Sequence, residues 1–186
     1  MSKPVKEIQI LFVVETNNVV KSDSAYIVWL LKKSFDDYIV PGRSDELFIH
    51  YDFVFMDGRQ NYKKRSVKND IKSKTALFYK KKTHVVYCVD VDSQTIGDLQ
   101  EIGEIRRYCE ENGYHLVISY REIEDVVKAP SGSSKHNRVK LFLKNYPKKE
   151  YVDERCLCVP YEQVIGRVGT TNFNDVIRMI IDERNE

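Results

Sequence analysis

The chain has 186 residues, with 30 Lys+Arg against 28 Asp+Glu for a formal net charge of +2. Its 42% hydrophobic and 31% charged content excludes a disordered chain, and its length is that of one ordinary α/β domain. No apolar run approaches the roughly 20 residues that a bilayer span needs.

Ile8–Val14 (IQILFVV) is an unbroken apolar run, which predicts a strand buried on both faces, as in a parallel sheet. It is too short to read as a signal peptide, and it ends on Glu15. Asn17 and Asn18 predict a turn. Asp23 or Ser24 then caps a helix to about Tyr38, with Ala25, Val28, Trp29, Leu31 and Phe35 as its apolar stripe. Leu47–Met56 predicts a strand closed by Asp57-Gly58. The segment Arg59–Lys82 is basic, with ten Lys/Arg and a single acid, and Ile71, Ala76, Leu77 and Phe78 predict a partial helix late in it.

His84–Ser93 (HVVYCVDVDS) holds a second buried-strand run, Val85–Val89, which stops on Asp90 and Asp92. Open α/β sheets bind ligands outside the carboxyl ends of their strands. Two carboxylates there suit a hard cation such as Mg²⁺ or Mn²⁺. The plainer reading is a solvated turn in which one Asp caps the helix beginning near Thr95. That helix runs to Asn112, with Ile96, Leu99, Ile102, Ile105 and Cys109 as its stripe and with Glu101 and Glu104 expected in solvent. Tyr114–Ser119 predicts a fourth strand, followed by an acidic helix start at Glu122, Glu124 and Asp125. After the loop Ala129–Ser134, Lys128–Lys149 carries seven Lys/Arg and no acid, and Val139–Leu143 predicts a short helix. Cys156–Val159 predicts an edge strand stopped by Pro160, and Asn172–Arg184 a closing helix.

Acids concentrate between the two basic segments: Asp90–Asp125 carries ten acids against three arginines. Basic flanks attract phosphates and an acidic centre holds metal, an arrangement that suits an enzyme acting on a polyanion. The counter-reading is that each lysine run is only solvated surface. Cys88, Cys109, Cys156 and Cys158 suggest no disulfide framework, and Cys156-Leu157-Cys158 has no second ligand pair for zinc. They read as reduced thiols of a cytoplasmic protein.

Taken together, FVVE ending at Glu15 and CVDVD with Asp90 and Asp92 resemble the Toprim domain of topoisomerases and primases. The small stand-alone and nuclease-type members are the nearest in pattern. The resemblance covers about 8–127 of a single 1–186 domain and leaves 128–186 as a basic carboxyl-terminal extension. It implies a three-layer, Rossmann-like α/β fold with a mainly parallel central sheet. It also implies metal-dependent phosphodiester cleavage on nucleic acid, DNA ahead of RNA, with a protein partner in a larger system and no membrane. Glu15, Asp90 and Asp92 would be catalytic and would bind Mg²⁺ or Mn²⁺. Glu124, with Glu122 as the alternative, and Asp23 would complete the shell. Lys63, Lys64, Arg65, Lys135, Arg138 and Lys140 would hold the phosphate backbone, and Lys21 and His136 lie on nearby loops. Two positions depart from the family pattern: Thr16 replaces the usual Gly, and Val19 stands where the nuclease branch has a second acid.

Three other readings compete. One is a Toprim-like binding module that has lost catalysis. Another is a haloacid-dehalogenase-type phosphotransferase, but there the aspartates would lie on the first strand. The third is a glycosyltransferase, for which the chain is short.

Overall fold

β-Branched and aliphatic residues drive Lys6–Val14 into a strand, β1, whose last seven residues are all buried. In the computed structural model, which describes residues 5–19, 22–130, 134–145 and 152–183 and not the side chains of 135, 136 and 145, helix α1 follows at Ser22–Ile39. Then come β2 (Leu47–Phe55), α2 (Arg65–Leu77), β3 (Lys82–Val91), α3 (Ile96–Asn112) and β4 (His115–Tyr120). Four helices close the described chain: α4 (Ile123–Val126), α5 (Lys135–Asn145), α6 (Tyr161–Val164) and α7 (Phe173–Asp182).

The four strands form one parallel sheet in the order β2-β1-β3-β4. Helices cover both faces, making the three-layer α/β fold expected from the sequence. One face packs Ile8, Ile10, Phe12 and Val14 of β1 and Val86 of β3 against α1, α5 and α7. The other packs Leu11, Val13, Val85, Tyr87 and Val89 against α2, α3 and α6. Burial on both faces explains why β1 and β3 read as continuous apolar runs instead of alternating ones. Among the described residues no helix is long and apolar enough to cross a membrane.

From β1 the chain moves outward to β2, then returns to the other side of β1 for β3 and moves outward again to β4. The direction of winding reverses between β1 and β3. In parallel sheets, the crevice at such a switch point is the usual ligand site.

Helix ends follow local chemistry. The Thr95 side chain accepts the Asp98 N–H at 3.3 Å, so a threonine caps α3 instead of Asp90 or Asp92. Gly113, at φ 66°, ends α3 in the left-handed conformation that a Cβ disfavours. Helix α2 starts earlier than predicted, because Val67 and Ile71, four apart, give it a buried stripe near its start.

The carboxyl-terminal third is woven into the same core. Phe173 stacks on Phe12 of the central strand at 6.2 Å. No strand forms at Cys156–Val159. Asp153 instead caps a 3-10 turn, Glu154–Cys156, and Pro160 begins α6. Only Val159 in that stretch is β-branched, and the turn and proline on either side leave no length for a ladder. The edge of β4 is covered by an isolated antiparallel bridge, Ser119 to Thr171.

Candidate functional site at the sheet switch point

Two strand ends and one helix start deliver the acids. Glu15 follows the last residue of β1, and Asp90 and Asp92 lie at the end of β3. Asp23 sits in the first turn of α1, 7% exposed, and accepts the Thr16 N–H at 3.2 Å, which folds the β1–α1 loop back over the strand end. Glu15 Oε1 accepts the Asp90 N–H at 2.8 Å across the switch point. Glu15, Asp23 and Asp90 line one crevice of about 10 Å³, walled by Ile27 and Leu30 of α1 and by Phe173. That is room for about one water-sized particle. Asp23 is therefore brought to the same crevice as Glu15.

Burial raises the Glu15 carboxyl to about 7; Asp23 and Asp92 push it further up, while the Asp90 N–H and the Arg59 guanidinium oppose the rise. Asp92 is mostly solvent-exposed at the rim, with its side chain 69% accessible. Among the described residues, neither the oxygens of Glu15, Asp90 and Asp92 nor those of Glu15, Asp23 and Asp90 are drawn to within 4.8 Å of one another, so the acids share a crevice without converging on one point.

Arg59 was not anticipated from the sequence. It opens the 3-10 turn after β2, and its side chain is only 12% exposed. Its Nε donates to Glu101 at 3.0 Å, and its other nitrogens reach the Asp90 carbonyl, Asp98 and, at 3.6 Å, Asp92. Burial lowers its proton affinity, but Glu15, Asp98 and Glu101 more than compensate and hold it above its ordinary value. Glu101, expected in solvent, is thus an ion-pair partner. Asp98 also accepts the Ser93 N–H at 2.7 Å, fixing the loop after β3. The readable signal was the Thr95-x-x-Asp98 spacing of a helix start, with an acid in the first turn. Arg59 carried no such mark.

No family model, curated protein or solved structure matches the chain. The site therefore stands on its geometry. Glu124 is 1% exposed on α4 and does not line the Glu15 crevice; its charge acts on Tyr26, whose hydroxyl is pushed up first by burial and then by Glu124. Glu122 pairs with Arg138 at 3.4 Å.

Among the basic residues, Lys63, Lys64 and Arg65 are exposed at the start of α2. In a parallel sheet that places them at the carboxyl rim, the same end as the acids. Lys140 is exposed on α5, while Arg138 is turned inward to Glu122. The Lys135 and His136 side chains and all of Lys21 lie outside the described residues. Among the described residues, two of the three non-glycine residues with positive φ also stand on this rim: Asp57 at 57°, two residues after β2, and Arg121 at 69°, directly after β4. Strained backbone of this kind clusters where a site is being shaped.

Proposed function

We propose that this rim is the active site of a Toprim-type, metal-dependent phosphodiesterase that cleaves nucleic acid, DNA ahead of RNA, in the cytoplasm. One observation carries the reading: at the switch point, Glu15, Asp23 and Asp90 share one crevice, and burial holds the Glu15 carboxyl near 7. An all-oxygen donor set with several acids and too little neutralising charge fits Mg²⁺ or Mn²⁺. Glu15, Asp23 and Asp90 would hold the ion, with Asp92 at the open side. Glu124 falls outside this set. When bound, the ion supplies Lewis acidity toward the phosphodiester and the water that attacks it.

The remaining work falls to the chain's own groups. Asp23 and the Thr16 N–H fix the loop beside Glu15. Asp98 holds both Ser93 and Arg59, so the segment carrying Asp92 keeps its place. Arg59, held by Asp98, Glu101 and the Asp90 carbonyl, braces the loop after β2 against the end of β3. Lys63, Lys64 and Arg65 extend positive charge along the same end.

The test is nicking of plasmid DNA and cleavage of single strands in Mg²⁺ and then Mn²⁺. Asp90→Asn and Asp92→Asn keep side-chain volume and remove ligand charge, so both should abolish cleavage with folding intact. Wild type and variants cleaving equally would indicate a contaminant.

A second reading has its own observation. Arg59 already supplies a cation to the acids, as it would in a binding module that has lost catalysis. Wild-type protein that neither cleaves nor binds Mn²⁺ would decide for that module.

A further inference from the structure

A second cluster lies at the opposite end of the sheet, among the amino ends of the strands. His84 is the third residue of β3, and His115 is the first of β4. The parallel register pairs Val86 with His115, which sets His84 one pleat away on the face that α7 covers. The α7 stripe of Phe173, Val176, Ile177, Ile180 and Ile181 packs on that face, and the helix end delivers Glu183. One ligand atom from each of His84, His115 and Glu183 lies within 4.8 Å of the others.

The distances are informative. His84 Nδ1 is 3.2 Å from His115 Nε2 and 3.9 Å from Glu183 Oε2. Two zinc–nitrogen bonds of about 2.0–2.1 Å at a tetrahedral angle put the nitrogens about 3.3 Å apart. The imidazole pair already has nearly that spacing. Burial lowers the proton affinity of both rings, that of His84 to about 4. The charged groups facing the cluster are Lys82 and Lys6. Lys82 Nζ lies 2.9 Å from Glu183 Oε2 and would compete with an ion for that carboxylate. Lys82 is 57% exposed and can swing into water.

We infer that His84, His115 and Glu183 form a binding site for a zinc-class divalent ion that pins the end of α7 to the amino ends of β3 and β4. Two imidazoles and one carboxylate select zinc, cobalt or nickel over magnesium, which prefers oxygen. Three protein ligands leave one coordination position for water. This site is separate from the acidic rim and does not depend on the function proposed there.

The experiment uses the full chain carrying Asp90→Asn and Asp92→Asn, so that the rim does not take up the added metal. After removal of metal with a chelator, Zn²⁺ is titrated calorimetrically, Co²⁺ is followed by its visible absorption, and Tm is recorded with and without Zn²⁺. One equivalent should bind, giving a tetrahedral-type cobalt spectrum and a raised Tm, while Mg²⁺ should do neither. His84 is 5% exposed, so replacing it tests folding as well as binding. Glu183→Gln and His115→Gln at the surface end of the cluster are the informative variants, and each should weaken zinc at least tenfold. Lys82→Gln, which removes the competing ammonium, should tighten it. No zinc uptake by the parent chain, or affinity unchanged in both Glu183→Gln and His115→Gln, overturns the site.

Discussion

Arg59 and Glu15 decide how the acidic rim behaves without metal. Arg59, with 12% of its side chain exposed, is the one cation contacting Asp98, Glu101 and the Asp90 carbonyl among the described residues. Removing one partner of a buried ionic network typically costs about 3–5 kcal/mol, because the remaining charges stay desolvated. Glu101 and Asp92 stay partly in water, so Arg59→Gln should lower the stability of chelator-treated protein by less than that, up to about 3 kcal/mol, measured by urea unfolding. If the rim is a metal site, Mg²⁺ or Mn²⁺ should recover part of the loss; no recovery favours the binding module. Glu15 gives a pH signature. Its carboxyl is raised from 4.5 to about 7 in the folded protein, so the folded state holds a proton that the unfolded chain releases. The stability this contributes is complete below pH 4.5 and is lost as pH rises through 7. Glu15→Gln cannot lose it. In chelator, the variant's Tm should climb relative to wild type between pH 5 and pH 8, and Mg²⁺ at pH 8 should narrow the gap. A gap that stays constant with pH would show that Glu15 is not strained. Glu15, Asp90 and Asp92 were legible because each acid interrupts or follows a buried apolar run. Arg59 was not, since a long side chain reaching back from the loop after a neighbouring strand looks, in sequence, like any surface arginine.

The sheet elements could be read from the chain because their periodicity is strong: β1 and β3 are continuous apolar runs, and α3 has a clean stripe and an Asn112-Gly113 stop. In the carboxyl-terminal third the closing helix α7 was legible from its apolar stripe, but the segment before it was not, because part of its hydrogen bonding to the sheet runs through side chains and leaves no periodic trace. Asn172 is the clearest case. It is 5% exposed; its Oδ1 accepts the Ile118 N–H at 2.8 Å, and its Nδ2 donates to the Leu116 carbonyl at 2.9 Å. Thr171 Oγ1 adds a bond to the Ile118 carbonyl at 2.7 Å. One asparagine thus stands in for a neighbouring strand along the edge of β4, where unpaired backbone would invite intermolecular pairing. Asn172→Ala should leave the Ile118 N–H and the Leu116 carbonyl short of partners and cost about 1–3 kcal/mol per unsatisfied buried group. Urea unfolding should show that loss, and hydrogen exchange should show faster opening of β4 with β1 unchanged. A loss below about 0.5 kcal/mol would mean that water replaces the side chain at this edge.

At the scale of the whole molecule, the charge segregation seen in sequence is reshaped by the fold. Arg59–Lys82 looks like one basic strip, but α2 carries the chain along 13 residues, about 20 Å at 1.5 Å per residue, from the carboxyl rim to the opposite end. Arg59 is consumed by acids at the rim. Lys74 pairs with Asp52, Lys81 with Glu7 and Lys82 with Glu183, all away from the rim. What remains of that stretch at the acidic end is Lys63, Lys64 and Arg65, with the exposed Arg121 after β4 on the same rim. A nucleic-acid backbone drawn to the rim would meet the first three together. Binding to duplex DNA should then weaken with salt by about 0.9 in log–log slope for each phosphate neutralised. Replacing Lys63, Lys64 and Arg65 together by Gln should flatten that slope by up to about 3. Replacing Lys74, Lys81 and Lys82 should leave it nearly unchanged, although all six residues belong to the same basic stretch of sequence. Fluorescence anisotropy across a salt series reads both slopes. Equal flattening by the two triple variants would mean diffuse attraction to overall charge, and no binding at low salt would remove nucleic acid as the substrate and point to a protein partner at the rim.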